Sequence, residues 1–153
     1  MTAQDTARIV RAGYDAFNTH SADPSSLDPV TTYFAQDCEK VDVPSHMSFR
    51  GPKGMKQWLT GFITACPDAL VEVANLFATE DRAVVECILR GTHTGPLHGP
   101  AGALPPSGRS MRLQACEVFQ VRNGMIVSHY TYYDLLGLLQ QLGALPAAGQ
   151  ASS

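Results

Sequence analysis

The stretch "SMRLQACEVFQVRNGMIVSHYTYYD", Ser110 to Asp134, decides the fold. Two runs rich in β-branched and aromatic residues flank Arg122, Asn123 and Gly124, which is a hairpin signal. The turn can close as a two-residue loop, Asn123-Gly124, which pairs Glu117 with Tyr130. It can also close as a three-residue turn with Gly124 left-handed, which pairs Glu117 with His129, Phe119 with Val127 and Val121 with Met125. The second choice collects Leu113, Ala115, Phe119, Val121, Met125 and Val127 on one apolar face. A one-residue slip would flip every side chain to the other face, so the three-residue turn is expected. The inward face then also carries Glu117, His129, Thr131 and Tyr133. Asp134 is placed to cap a last helix.

Working outward, "RAVVECILRGTHTG" reads as a strand with Val85, Cys87, Leu89, Gly91 and His93 on one face, and "LVEVANLFAT" as its predecessor. A long Gly/Pro loop, "GPLHGPAGALPPSGR", separates these strands from the hairpin and is long enough to act as a lid. Before them, "RGPKGMKQWLTGFITACPD" is an amphipathic helix with Pro52 in its first turn, a stripe of Met55, Trp58, Leu59, Phe62 and Ile63, and Pro67 as its stop. The N-terminal segment from Thr2 to about His20 is a second such helix, carrying Ile9, Val10, Gly13, Tyr14 and Phe17. Between them a short helix is expected around Val30 to Ala35, then a short strand "CEKVDVP". Helices first and antiparallel strands later predict an α+β fold, a curved, mostly antiparallel sheet wrapped on N-terminal helices.

A chain of 153 residues makes one domain the default. We assign it to residues 1–145, with 146–153 as a disordered C-terminal tail. The net charge of −3 and the lack of a Lys/Arg cluster argue against nucleic acid as a partner. A small hydrophobic molecule is the expected substrate. The four cysteines are scattered, with no metal-ligand spacing, so no metal is expected. No run approaches a membrane span, and no signal core is seen at the N-terminus. A cytoplasmic protein with reduced thiols is the simplest expectation.

Glu117 and His129 are the pointed result of the hairpin reading. A carboxylate and an imidazole side by side in an apolar face can trade a proton near neutral pH. The alternative is a satisfied polar pair that only fixes the hairpin. His93 ends its strand on the apolar face, where it can contact a ligand or cap the long loop. Trp58, Phe62 and Phe119 are core residues that would also form pocket walls.

The order of elements and five short stretches resemble the SnoaL-like polyketide cyclases, within the nuclear transport factor 2-like and ketosteroid isomerase-like superfamily. The stretches are "CPD", "GTHTG", "PPSGR", "VRNGMIVSHY" and "LLQQLG". The resemblance implies a cone-shaped barrel with a deep apolar pocket, no cofactor, and a homodimer through the sheet. The place of the cyclases' catalytic aspartate on the last strand falls on Thr131. Limonene-type epoxide hydrolases place one Asp there too, and their Arg and second Asp fall near Gly91 and His93. The ketosteroid isomerase pattern of a tyrosine, a carboxylate base and a protonated carboxylic acid falls near Tyr14, Asp42 and Glu117. For Tyr14 core packing, and for Asp42 an exposed strand position, are the competing roles. If Val41 and Val43 face inward, Asp42 faces out.

The expectation is a cofactor-independent enzyme doing cyclisation, isomerisation or dehydration on a polyketide- or steroid-like molecule. Glu117, His129, Asp42 and Tyr14 are its candidate catalytic residues. Thr131, His93, Tyr133, Trp58, Phe62 and Phe119 are candidates for substrate binding. Epoxide opening, and a non-catalytic domain that holds a small ligand, are the alternatives.

Overall fold

A computed structural model describes residues 1–99 and 102–145. The expected disordered tail lies outside the described residues. Helix α1 (Ala3–Phe17) starts on a capping box, in which Thr2 accepts from the Asp5 amide and Asp5 accepts from the Thr2 amide. It buries Thr6, Val10, Tyr14 and Phe17 along one stripe. A 3-10 turn (Pro24–Leu27) leads into the short α2 (Asp28–Thr31). This helix stops before Phe34, which instead opens strand β1 (Phe34–Asp42). The strand is thus longer than the sequence suggested. β2 (Met47–Arg50) folds back on it, and α3 (Gly51–Ala65) follows with Pro52 in its first turn.

The rest is sheet. β3 (Leu70–Ala78), β4 (Arg82–Thr92), β7 (Ser110–Arg122) and β8 (Met125–Tyr133) form an antiparallel meander. The Gly/Pro loop holds a small separate hairpin, β5 (Leu97–Gly99) and β6 (Gly102–Leu104). The main sheet runs β2-β1-β8-β7-β4-β3. β1 lies parallel to β8, so the sheet is mixed, though mostly antiparallel. It does not close into the expected barrel, since β2 and β3 remain as its edges. α1 and α3 cover its concave side, and Val10, Phe17, Met55, Ile63, Val85, Leu113 and Ile126 meet between the layers. Asp134 caps α4 (Leu135–Gln141), accepting from the Gly137 amide at 2.8 Å.

The hairpin corrects the expected turn. Asn123 and Gly124 both have left-handed φ, 52° and 76°, and Arg122 pairs with Met125 across a two-residue loop. Such a turn matches the twist of the flanking strands. Its register, continued, would have put Glu117 opposite Tyr130. A bulge between Gln120 and Val121 intervenes and leaves Val127 unpaired. Beyond it Phe119 faces His129 and Glu117 faces Thr131. This register differs by two residues from that of a three-residue turn, and a two-residue shift preserves every facing. Glu117, His129 and Thr131 are therefore buried as expected. Near the turn Ile126 fills the core place expected for Met125 and Val127, which are half-buried. Gly124→Ala should cost about 1–2 kcal/mol, the penalty for a Cβ in left-handed backbone, read as a lower urea midpoint.

Candidate active site

Glu117 sits on the concave face of β7, only 6% exposed, and every neighbouring element reaches toward it. From α1 the Tyr14 hydroxyl donates to Oε1 at 2.7 Å. From β4 the Cys87 thiol approaches the same oxygen at 3.8 Å. From β8 the His129 Nε2 lies 2.6 Å from Oε2, and the Thr131 hydroxyl donates to that oxygen too. The Thr131 oxygen in turn accepts from the Lys40 ammonium on β1. Lys40 is fully buried, with Nζ 3.7 Å from the centre of the Trp58 ring and a further bond to the Val41 carbonyl. The result is one chain of contacts from Lys40 through Thr131 and Glu117 to His129.

Charge decides the protonation states. Burial alone would raise the Glu117 pKa, but His129, Lys40 and the Thr131 hydroxyl hold it below the usual carboxylate range. Burial and the Lys40 charge push His129 below the usual imidazole range, against the pull of Glu117. Burial lowers Lys40 to about 8, with Glu117 and Asp42 opposing. Burial and the Glu117 charge push Tyr14 and the Cys87 thiol up, so both stay protonated donors. At neutral pH the cluster is a carboxylate, an ammonium and a neutral imidazole. Since Oε2 can only accept, the imidazole donates through Nε2–H. Its Nδ1 is then a lone pair, buried and without a hydrogen-bond partner.

Asp42 forms a second, closed cluster. It is 2% exposed and faces inward, while Val41 and Val43 are half-buried. Trp58 Nε1 and the Tyr133 hydroxyl each donate to it at 2.9 Å, and the Ser45 amide at 3.3 Å. Burial and the Asp42 charge push the Tyr133 pKa up. The carboxylate thus anchors two pocket-wall aromatics from behind.

A cavity of about 90 Å³ lies between α1, α3 and the sheet. Tyr14, Trp58, Phe62, Glu117, Phe119, His129, Thr131 and Tyr133 line it together with aliphatic side chains. Phe119 stacks on the His129 ring at 4.3 Å and 11°, and Trp58 meets that ring edge-on at 5.7 Å. Several lining residues, among them Gly13, Phe62, Val71, Leu89 and Tyr133, are only half-buried. Asp42, Lys40 and His93 are not in the lining. His93 is buried elsewhere, its Nδ1 accepting from the Ser107 amide at 3.2 Å and bonded to the Ser107 hydroxyl at 2.8 Å. This ties down the end of the long loop. None of the described β5–β6 hairpin lines the cavity.

The sequence reasoning passed over Lys40. The phase of β1 holds the signal, since Phe34, Cys38, Lys40 and Asp42 are all even-numbered and all buried. Among the described residues no group of three or more His, Cys, Asp or Glu is arranged to hold a metal, and no helix is long and apolar enough to cross a membrane.

An open sheet closes an apolar cavity against helices, with a carboxylate–imidazole pair on its wall, and this is the architecture of a small α+β domain. The sequence profile of SnoaL-like polyketide cyclases matches residues 7–142, and the chain belongs to that family. No curated protein matches it significantly. Among solved structures, a candidate SnoaL-like polyketide cyclase from Jannaschia sp. CCS1 is similar, with TM-score 0.81, 20% identity, and coverage of 95% of this chain and 96% of that one. AclR from Streptomyces galilaeus is similar with TM-score 0.78 and 21% identity, over 98% and 87% of the two chains. IdmH from Streptomyces antibioticus, a candidate polyketide cyclase, gives TM-score 0.72 and 25% identity over 92% and 99%.

Proposed function

We propose that the protein is a cofactor-independent enzyme that moves a proton on a neutral, hydrophobic small molecule of polyketide or steroid type, with His129 as general base. The observation that carries this reading is the His129 Nδ1. It is the one buried nitrogen of the Glu117 cluster with no partner, and its ring lines the cavity. Glu117 holds the other ring nitrogen, fixes the tautomer and stabilises the imidazolium formed when Nδ1 takes a proton. The natural proton source is a carbon next to a carbonyl, and the resulting carbanion or enolate closes a ring or is reprotonated elsewhere.

The enolate-oxygen role expected for Tyr14 and Glu117 fits less well. Tyr14 spends its hydroxyl on Glu117, and Glu117 is held ionised. The same fact weighs against epoxide opening, because Glu117 is the one carboxyl group in the lining and it has no proton to give. His93 Nε2 is also buried and unpartnered, but its ring is not in the lining, whereas the His129 ring lines the cavity and its free nitrogen has a substrate to serve. The cavity of about 90 Å³ is below the ~300–1,000 Å³ of ligand pockets. A multi-ring substrate therefore enters by displacing wall side chains such as Phe62.

The test is α-proton exchange in D2O, followed by NMR on the bicyclic ketone 2-tetralone. The wild-type protein should accelerate deuterium uptake over buffer, and no acceleration on any of a panel of apolar ketones would sink the reading.

We further propose a homodimer through the outer face of the sheet. Phe77, Val84 and Tyr132 are exposed there. Phe77, Val84, Val118 and Tyr130 lie in register across four strands. Sedimentation equilibrium should report a dimer, and Val84→Glu should shift it toward monomer. A monomeric wild type refutes the proposal.

A further inference from the structure

Lys40 is the group this reaction has not used. It is a fully buried lysine, its ammonium over the face of the Trp58 ring and donating to Thr131. Burying an ammonium is costly unless it is paired and hydrogen-bonded, and the direct hydrogen bonds of Lys40 go to a hydroxyl and a carbonyl, with no carboxylate among them. Its role is visible in the hydrogen-bond chain. With Lys40 donating to its oxygen, the Thr131 hydroxyl proton has one direction left, toward Glu117 Oε2. Glu117 then receives Tyr14, Thr131 and His129 as donors and has no cause to share a proton with the imidazole.

We propose that Lys40 is a positioning residue whose ammonium, bonded to Thr131 and set cross-strand from the His129 ring, keeps His129 uncharged with Nδ1 free. This rests on the reading of His129 as the base. It concerns how the base is held ready rather than whether it acts.

Without a cation at Lys40, the nearest way to balance Glu117 is to protonate His129, which turns the pair into a closed imidazolium–carboxylate ion pair with no base. The other titratable groups facing His129 do not take over the task. Tyr14 from α1 and Cys87 from β4 are neutral donors at Glu117. Tyr133 from β8 and Trp58 from α3 are committed to Asp42, and Asp42 on β1 adds negative charge that would favour protonating His129. Lys40 is also the cross-strand partner of His129 in the parallel β1–β8 pair, so its charge acts from beside the ring.

The test needs no substrate. The histidine rings are labelled with 15N and titrated by NMR, with His129 assigned by its absence in His129→Gln. In the wild-type protein His129 should be neutral at pH 7. In Lys40→Met, which nearly preserves side-chain volume, its midpoint should rise by at least about one pH unit, a tenfold gain in proton affinity. An unchanged midpoint in Lys40→Met, or a His129 already charged at pH 7 in the wild type, overturns the proposal.

Should Lys40→Met fail to fold, the wild-type protein alone still decides. Loss of the Lys40 charge near pH 8, followed at its Cε carbon, should produce an inflection in the His129 ring shifts at the same midpoint. Absence of that inflection overturns the proposal. A His129→Gln protein that retains full deuterium exchange would sink the base reading while leaving these titrations standing, so the two failures are distinguishable.

Discussion

Replacing Glu117 with glutamine is expected to cost about 3–5 kcal/mol of stability, the usual penalty for breaking a buried charged cluster from one side. The shape is conserved and the acceptor count is not. Oε1 accepts from Tyr14, and Oε2 accepts from both His129 and Thr131. An amide has one oxygen, so its NH2 group faces Tyr14 or the His129–Thr131 side, whose hydroxyl or imidazole must turn from donor to acceptor, and Lys40 is left with its charge uncompensated. Urea unfolding at pH 7 measures the loss. Deuterium exchange should fall by about 10⁴-fold, as when the carboxylate of a Ser-His-Asp triad is neutralised and the imidazole loses its tautomer.

The pH dependence separates the two halves of the pair. Glu117 has a folded pKa below its unfolded value near 4.3. Its contribution is complete above that pH and is lost as the pH falls toward the folded value. His129 is also lowered in the folded state. The unfolded chain therefore takes up that proton first, and stability begins to fall below about pH 6.5. Stability of the wild-type protein should thus decline in two stages on acidification. Glu117→Gln should keep the upper stage and lose its share of the lower one. The surface carboxylates held low by hydrogen bonds, Asp5 by Thr2, Asp23 by Ser25 and Asp68 by Thr92, contribute alike to both proteins and drop out of the difference. An unchanged acid limb in the variant would show that Glu117 is not held ionised.

Much of this site is legible in the sequence because period-two facing is robust. The turn type read from "RNG" was wrong and the register was off by two residues, yet Glu117, His129 and Thr131 still came out inward, since only odd slips change the face. The bulge at Val127 was not legible. It adds one residue so that a favourable two-residue turn can coexist with the buried face, a compromise that exists only once both strands are packed. The facing of β1 was undecided for a related reason. Its apolar residues leave the facing open, since Val41 and Val43 turned inward would put Asp42 in solvent, and the structure takes the other phase, with Lys40 and Asp42 inward. Apolarity is a good guide to facing on ordinary strands and a poor one where a strand supplies charges to a buried network. Lys40 and Asp42 are inward because Glu117, Thr131, Trp58 and Tyr133 wait for them. None of those partners is near in sequence. The cone-shaped barrel expected from the family resemblance is realised as a curved mixed sheet whose edges, β2 and β3, stay open.

Replacing His129 with glutamine should nearly abolish proton exchange while sparing the cluster. The glutamine amide can still donate to Glu117, as Nε2–H does now, so the carboxylate keeps its set of donors. What disappears is the Nδ1 lone pair. Loss of a general base lowers turnover by about 10²–10⁴-fold, and the loss should fall on kcat, because apolar walls such as Phe34, Trp58 and Phe119 still bind the ring system. Tyr14→Phe removes only one donor to Glu117 and leaves Nδ1 intact, so its effect should be much smaller. The pH profile supplies the sign. The base acts only when unprotonated, and burial and Lys40 hold its pKa below the usual imidazole range. The exchange rate of the wild-type protein should therefore stay level through pH 6.5 and fall only at lower pH, as His129 takes its proton. An acid limb centred above pH 6.5, or a His129→Gln protein that exchanges within twofold of wild type, would assign the base to another group.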